Sequence, residues 1–168
     1  MPRLLPPTTA VQASFLVALE EYQREGRNQD LDAALLRDAD AFHQYVAGLC
    51  AQALPETPRP EGWVSATTLW WVDDREYLGR LSIRHSLTDD LRRVGGHIGY
   101  EVRPSVRGCG HATRMLAAAL PMAAAMGIDP ALVTCDAANV ASRRVIERNG
   151  GQLENEGDGE LHFWVPTT

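Results

Sequence analysis

Residues 95–116 read GGHIGYEVRPSVRGCGHATRML, and the rest of the chain is organised around them. His97 to Val102 has a strand's composition, with β-branched and aromatic residues set between glycines. Arg103 to His111 is a loop carrying Pro104, Gly108 and Gly110. Ala112 to Met126 has Met115, Leu116, Ala119, Leu120 and Ala123 at helical spacing. The spacing therefore predicts a strand that runs through a glycine-rich turn into a helix N-terminus. The first N–H groups of a helix lack internal partners and point outward at the positive end of its dipole. Glycines let an anion approach that backbone, so the stretch is built to bind one.

Spacing separates the nucleotide-binding turns of this kind. A phosphate-cradling P-loop ends in Gly-Lys-Ser/Thr, whereas all 16 basic residues here are Arg. A dinucleotide fingerprint needs G-x-G-x-x-G, and here Thr113 stands where the third glycine belongs. No acidic residue clearly ends a following second strand either. A third pattern fits. Arg107-x-x-Gly110-x-Ala112, followed by Asn139-x-x-Ser142 about one strand and one turn later, resembles the GNAT superfamily of acyl-CoA N-acyltransferases. Gly96-His97-Ile98-Gly99-Tyr100, Arg103-Pro104-Ser105, Cys135-Asp136 and Asn149-Gly150-Gly151 look like one branch of predicted acetyltransferases within it. The resemblance covers nearly the whole chain and is strongest from Leu78 to Leu153. It implies acetyl-CoA as co-substrate, with the pyrophosphate of coenzyme A on the amides from Arg107 through Gly108, Cys109, Gly110 and His111 to Ala112. It also implies that Asn139 faces the pantetheine arm, that Ser142 contacts the cofactor, and that the strand carrying Val102 parts from its parallel neighbour to expose amides that hold the pantetheine and thioester. On the residues alone, Arg107 and Ser142 also read as solvated surface and Asn139 as a helix cap.

A chain of 168 residues is expected to form one domain, residues 1–168, around one core. No apolar run approaches the ~20 residues that span a membrane. The N-terminus lacks the sustained apolar stretch of a secretory signal. Cys50, Cys109 and Cys135 are odd in number and far apart, which points to a reducing, cytoplasmic setting without disulfides. A net charge of −6 argues against non-specific nucleic-acid binding and suits a cationic acceptor such as an amine. Neither H-x-x-x-H nor C-x-x-C occurs, so no metal site is expected. Partners are therefore expected to be a small-molecule or peptide amine rather than nucleic acid or membrane, and a homodimer stays open.

In chain order, Arg3 to Leu5 reads as a short strand and Ala10 to Arg24 as a helix with Val11, Phe15, Val17, Ala18 and Tyr22 inward. A second helix is expected from Asp30 or Asp32 to Ala53, burying Leu31, Leu35, Phe42, Tyr45, Val46, Leu49 and Leu54. Pro55, Pro58 and Pro60 make a stiff loop. Thr67 to Val72 and Leu78 to His85 read as a hairpin, with the Trp70–Trp71 pair in the core. Leu87 to Val94 reads as a polar connection. Ala131 to Asp136 is a buried strand, and Asn139 to Asn149 a helix with Val140, Val145 and Ile146 inward. Gln152 to Glu156 and Glu160 to Val165 form a final hairpin. The order β-α-α-β-β-β-α-β-α-β-β is that of the GNAT fold, an α/β fold with a mixed sheet and helices on both faces.

The resemblance makes the expected reaction direct transfer of an acetyl group to a primary amine. An alkyl ammonium, with a pKa near ~10.4, must lose a proton before it attacks the thioester, so a general base is wanted near the strand junction. The candidates are His97, Glu101 and His85. His97 also reads as a structural histidine after two glycines, and Glu101 as an acceptor anchor or a solvated carboxylate. Many GNAT enzymes carry a Tyr on the last helix that protonates the leaving thiolate; the matching position here is Ile146. That departure keeps a second reading open, a non-catalytic CoA-binding sensor or interaction module on the same fold. Cys109 and Cys135 read as packing rather than as nucleophiles of an acyl-enzyme.

Overall fold

The computed structural model describes all 168 residues, Met1–Thr168. The N-terminal half holds β1 (Arg3–Leu5), α1 (Gln12–Arg24), α2 (Ala39–Ala51), β2 (Ala66–Asp73) and β3 (Glu76–Arg84). There follow α3 (Asp89–Arg93), β4 (Ile98–Val102), α4 (His111–Ala125), β5 (Ala131–Asp136), α5 (Val140–Arg148), β6 (Gln152–Gly157) and β7 (Glu160–Val165). Strands β1-β2-β3-β4 form one antiparallel sheet, and β5-β7-β6 a second. The β4–α4–β5 crossover is the connection that parallel neighbours need, and it brings β5 beside β4. No ladder of pairs joins these two strands.

Alternation along β2 sorts the core to two faces of the first sheet. Trp70 and Val72 face α1 and α2, where Phe15, Tyr22, Phe42 and Tyr77 complete one cluster. Leu69 and Trp71 face α4, packing with Met115, Leu116, Ala119 and Ala123 in a cluster that continues through β5, Ile146 and β7. Phe15 stacks on Trp70 at 5.0 Å between centroids, and Tyr77 meets Trp70 edge-on at 5.3 Å. Such pairs add ~0.5–1.5 kcal/mol each beyond area burial. Both tryptophans of the pair are buried, as their strand position predicts.

Three expectations are corrected. The second helix starts at Ala39 rather than near Asp30, because Asp38 has an extended backbone and its carboxylate accepts from the Ala41 N–H at 2.8 Å. Asp32 takes only the Leu35 N–H, at 3.0 Å, where a short 3₁₀ turn begins. Val17, Leu35, Leu54 and Val140 are exposed rather than inward. Leu87 to Val94 contains α3, which is short enough to show no apolar stripe and is started by Thr88 Oγ1 accepting from the Leu91 N–H.

The seam between the two sheets is pinned at one end only. The His97 N–H donates to Leu132 O at 2.8 Å, and the Leu132 N–H donates back to His97 Nδ1 at 2.9 Å. The Gly95 N–H reaches Thr134 Oγ1 at 2.9 Å. Gly96 has φ +60°, and a Cβ there would run into Leu132 O, so only glycine lets the chain cross β5 so closely. Past this point Tyr100 and Val102 have no strand partner on the β5 side, and the seam opens.

Candidate functional site

A cleft of about 530 Å³ runs from this opening over the N-termini of α4 and α5. Its walls include Tyr100, Glu101 and Val102 from β4, Arg107, Gly108, Gly110 and His111 to Thr113 from the turn, and Asn139, Ser142, Arg144 and Arg148 from α5 and its cap. The turn is the sharpest feature. Gly108 and Gly110 have φ +78° and +77°, and both would point a Cβ into open space. From Gly108 through Thr113 no backbone N–H has a partner in the protein. Consecutive free N–H groups at a helix N-terminus make an anion cradle. The residues thus fit the pyrophosphate of coenzyme A, and Arg144 and Arg148 on the facing helix add positive charge. A sequence reading centred on the glycine motif misses these two arginines; their i, i+4 spacing just after Asn139-x-x-Ser142 is the signal for them.

The individual residues divide by what they touch. Arg107 lines the cleft but is paired within the protein: its guanidinium pairs with both Glu25 oxygens at 2.8 and 3.0 Å, and its Nε donates to Val102 O at 3.2 Å. Cys109 is exposed at the turn and does not line the cleft. His111 Nδ1 accepts from Trp71 Nε1 at 3.1 Å and lies 3.1 Å from Arg114. Burial and the Arg114 charge hold its pKa below the usual value. Asn139 caps α5, its Oδ1 accepting from the Ser142 N–H at 3.1 Å, while its Nδ2 makes no bond to the protein. Ser142 Oγ lies 2.7 Å from the Tyr100 hydroxyl.

Of the three proposed bases, the structure brings Glu101 alone into the cleft wall. Its Oε1 accepts from Arg80 Nε at 3.0 Å and from Asn28 Nδ2 at 3.3 Å, and Arg27 lies 3.9 Å away. His97 sits at the pinned end of the seam with Nδ1 engaged by Leu132, and burial lowers its pKa, reinforced by Arg92. His85 Nε2 lies 2.8 Å from Thr67 Oγ1 at the end of β3. Neither histidine lines the cleft. The loop below the cradle is braced separately. Glu21 on α1 accepts from Arg103 and from both Ser105 donors; burial pushes its carboxyl up, and these bonds outweigh that and hold it low.

Residues 15–152 match the family model described as an acetyltransferase (GNAT) domain. The chain belongs to the GNAT acetyltransferase family. Its fold is similar to that of Mycobacterium smegmatis RimJ, solved in complex with CoA-disulfide, at a TM-score of 0.69 and 22% identity over 98% of this chain and 81% of that one. It is similar to the Salmonella typhimurium acetyltransferase that modifies the N-terminal serine of ribosomal protein L7/L12 (TM-score 0.59, 18% identity, 97% and 92% covered). It also resembles Campylobacter jejuni PseH, an N-acetyltransferase solved with acetyl coenzyme A (TM-score 0.59, 9% identity, 100% of each chain). No curated protein matches the chain significantly. No helix is long and apolar enough to cross a membrane.

Proposed function

We propose that this chain transfers an acetyl group from acetyl-CoA to a primary amine by direct attack. The observation that carries the reading is the run of unpartnered N–H groups from Gly108 to Thr113, continuous with the opened seam at Val102. The cradle holds the pyrophosphate, with Arg144 and Arg148 beside it. Asn139 and Ser142 face the pantetheine arm, and the Val102 backbone lies where the thioester would rest. Acetyl-CoA, when bound, supplies an activated acyl carbon. The chain's own part is to orient that carbon, exclude water and take the amine's proton. Glu101 is the group we assign to draw in the ammonium and accept its proton through water, because it is the carboxylate in the cleft wall. We place the activity in the cytoplasm, on the strength of the unpaired cysteines.

The amine is expected to be a small molecule or a peptide terminus, since one similar structure is of an enzyme that modifies a protein N-terminal serine. The test is a panel of small amines and peptides with acetyl-CoA, reading free thiol and acetylated product. Turnover with any of them supports the reading, and tight acetyl-CoA binding without turnover sinks it. The latter result is what a non-catalytic CoA sensor gives. Ile146, fully buried where many relatives carry the tyrosine acid, is the observation that favours that alternative.

A further inference from the structure

The departing sulfur of a thioester needs a donor, and α5 offers none at Ile146, whose side chain is fully enclosed in the core. One helical turn earlier the same face carries Ser142. From β4, Tyr100 reaches across the open seam to it, with 2.7 Å between the two hydroxyl oxygens. Tyr100 shares its strand face with Val102 and lines the cleft between Val102 and Asn139. Two hydroxyls carry two hydrogens, and their mutual bond uses one. With Ser142 donating to Tyr100, the phenol hydrogen is left with no protein acceptor nearer than the Ser142 carbonyl at 3.5 Å. That is a long contact for an O–H donor.

We propose that the Tyr100 hydroxyl, oriented by Ser142, donates the hydrogen bond that stabilises the thiolate leaving acetyl-CoA. The inference rests on the acetyl-transfer reading. The ammonium gives its first proton through water to Glu101, which passes it to solvent; the neutral amine nitrogen then forms the new C–N bond, the C–S bond breaks with its electron pair on sulfur, and the nitrogen's second proton leaves by the same water route. Tyr100 shares its hydrogen with the sulfur and keeps it. Burial raises the phenol pKa to about 12, although the Ser142 bond opposes this. A thiol near ~8.5, by analogy with Cys, cannot take a proton from such a group to any extent. Solvent therefore protonates the thiolate after release. A preorganised donor of this kind acts as an oxyanion-hole group does, with removal costing roughly 10²–10³ in kcat.

The test is the ultraviolet titration of the thiol of protein-bound CoA, in the wild type and in Tyr100→Phe. A hydrogen bond to a charged acceptor lowers the bound thiol's pKa by ~1–2 units relative to Tyr100→Phe, with CoA affinity below that titration within threefold. Ser142→Ala, which keeps the phenol and loses its orienting partner, gives an intermediate value and covers the case of a Phe variant that does not fold. With an amine acceptor in hand, Tyr100→Phe lowers kcat about 10²-fold at unchanged KM for acetyl-CoA. Equal thiol pKa values in all three proteins overturn the proposal, even where the wild type transfers acetyl groups. Because the titration needs no acceptor, a wild type that transfers nothing refutes the function reading separately and leaves the thiol result to decide the donor.

Discussion

Replacing His97 with Ala separates a structural histidine from a catalytic one. His97 Nδ1 is the acceptor for the Leu132 N–H, and Leu132 is only 2% exposed. Removing the ring leaves that N–H buried without a partner, a cost of about 1–3 kcal/mol. In a chain of this size each kcal/mol moves Tm by ~2–4 °C, so calorimetry of His97→Ala should show a fall of roughly 2–12 °C. His97→Asn, whose side-chain oxygen stands near the position of Nδ1, should recover most of it. The pH dependence has a definite sign. The folded pKa of His97 lies below its unfolded value, so the unfolded chain binds the extra proton first as pH falls. The stabilisation is complete above ~6.5 and is lost as pH drops through the folded value. His97→Ala should therefore differ from wild type in Tm at pH 8 and converge on it in acid. Measured well below Tm, its kcat/KM should stay within ~5-fold of wild type, against the ~10²-fold or more expected of a lost general base. An unchanged Tm together with a ~10²-fold loss of kcat/KM would refute the reasoning and make His97 the base.

Gly110→Val should largely abolish acetyl-CoA binding by calorimetry. Gly110→Asn, which tolerates the left-handed backbone better, should weaken it as well, because both place a Cβ in the open space over the cradle; unchanged affinity in a folded Asn variant moves the site elsewhere. Glu101→Gln should lower kcat/KM by roughly 10²-fold with acetyl-CoA affinity near wild type, and a wild-type rate at neutral pH removes Glu101 from proton transfer. Arg144→Ala with Arg148→Ala should weaken acetyl-CoA binding and flatten its salt dependence, whereas an identical slope in wild type and variant would show that these arginines stand clear of the cofactor.

The fold was legible where backbone chemistry speaks locally. The strand, glycine turn and helix from His97 to Met126 follow from residue type, and β5 has the predicted limits, Ala131–Asp136. The hairpins follow in the same way. The start of α2 is not legible in the sequence because Asp30, Asp32 and Asp38 are all competent caps, and only tertiary packing decides which one starts the helix. Val140 and Leu35 are apolar yet exposed, which periodicity over a single turn cannot reveal. In the candidate site, the glycine turn with its free amides and the Asn139 cap follow from spacing. Side-chain partners were not. Arg107 pairs with Glu25, 82 positions away in sequence, and His97 is taken up by Leu132, 35 positions away. Tyr100 and Ser142, 42 apart, meet only because the seam opens between them.

The central claim is that acetyl-CoA sits in the seam between β4 and β5 with its pyrophosphate on the free amides of the turn. Backbone amide shifts in a two-dimensional NMR titration with acetyl-CoA test it residue by residue. The account predicts the largest changes at Gly108 to Thr113, with Val102, Asn139 and Ser142 following, and little change at His85 or along β6. Saturable binding that leaves the Gly108 to Thr113 amides unmoved, or moves instead those around Ala10 to Val17, would contradict it.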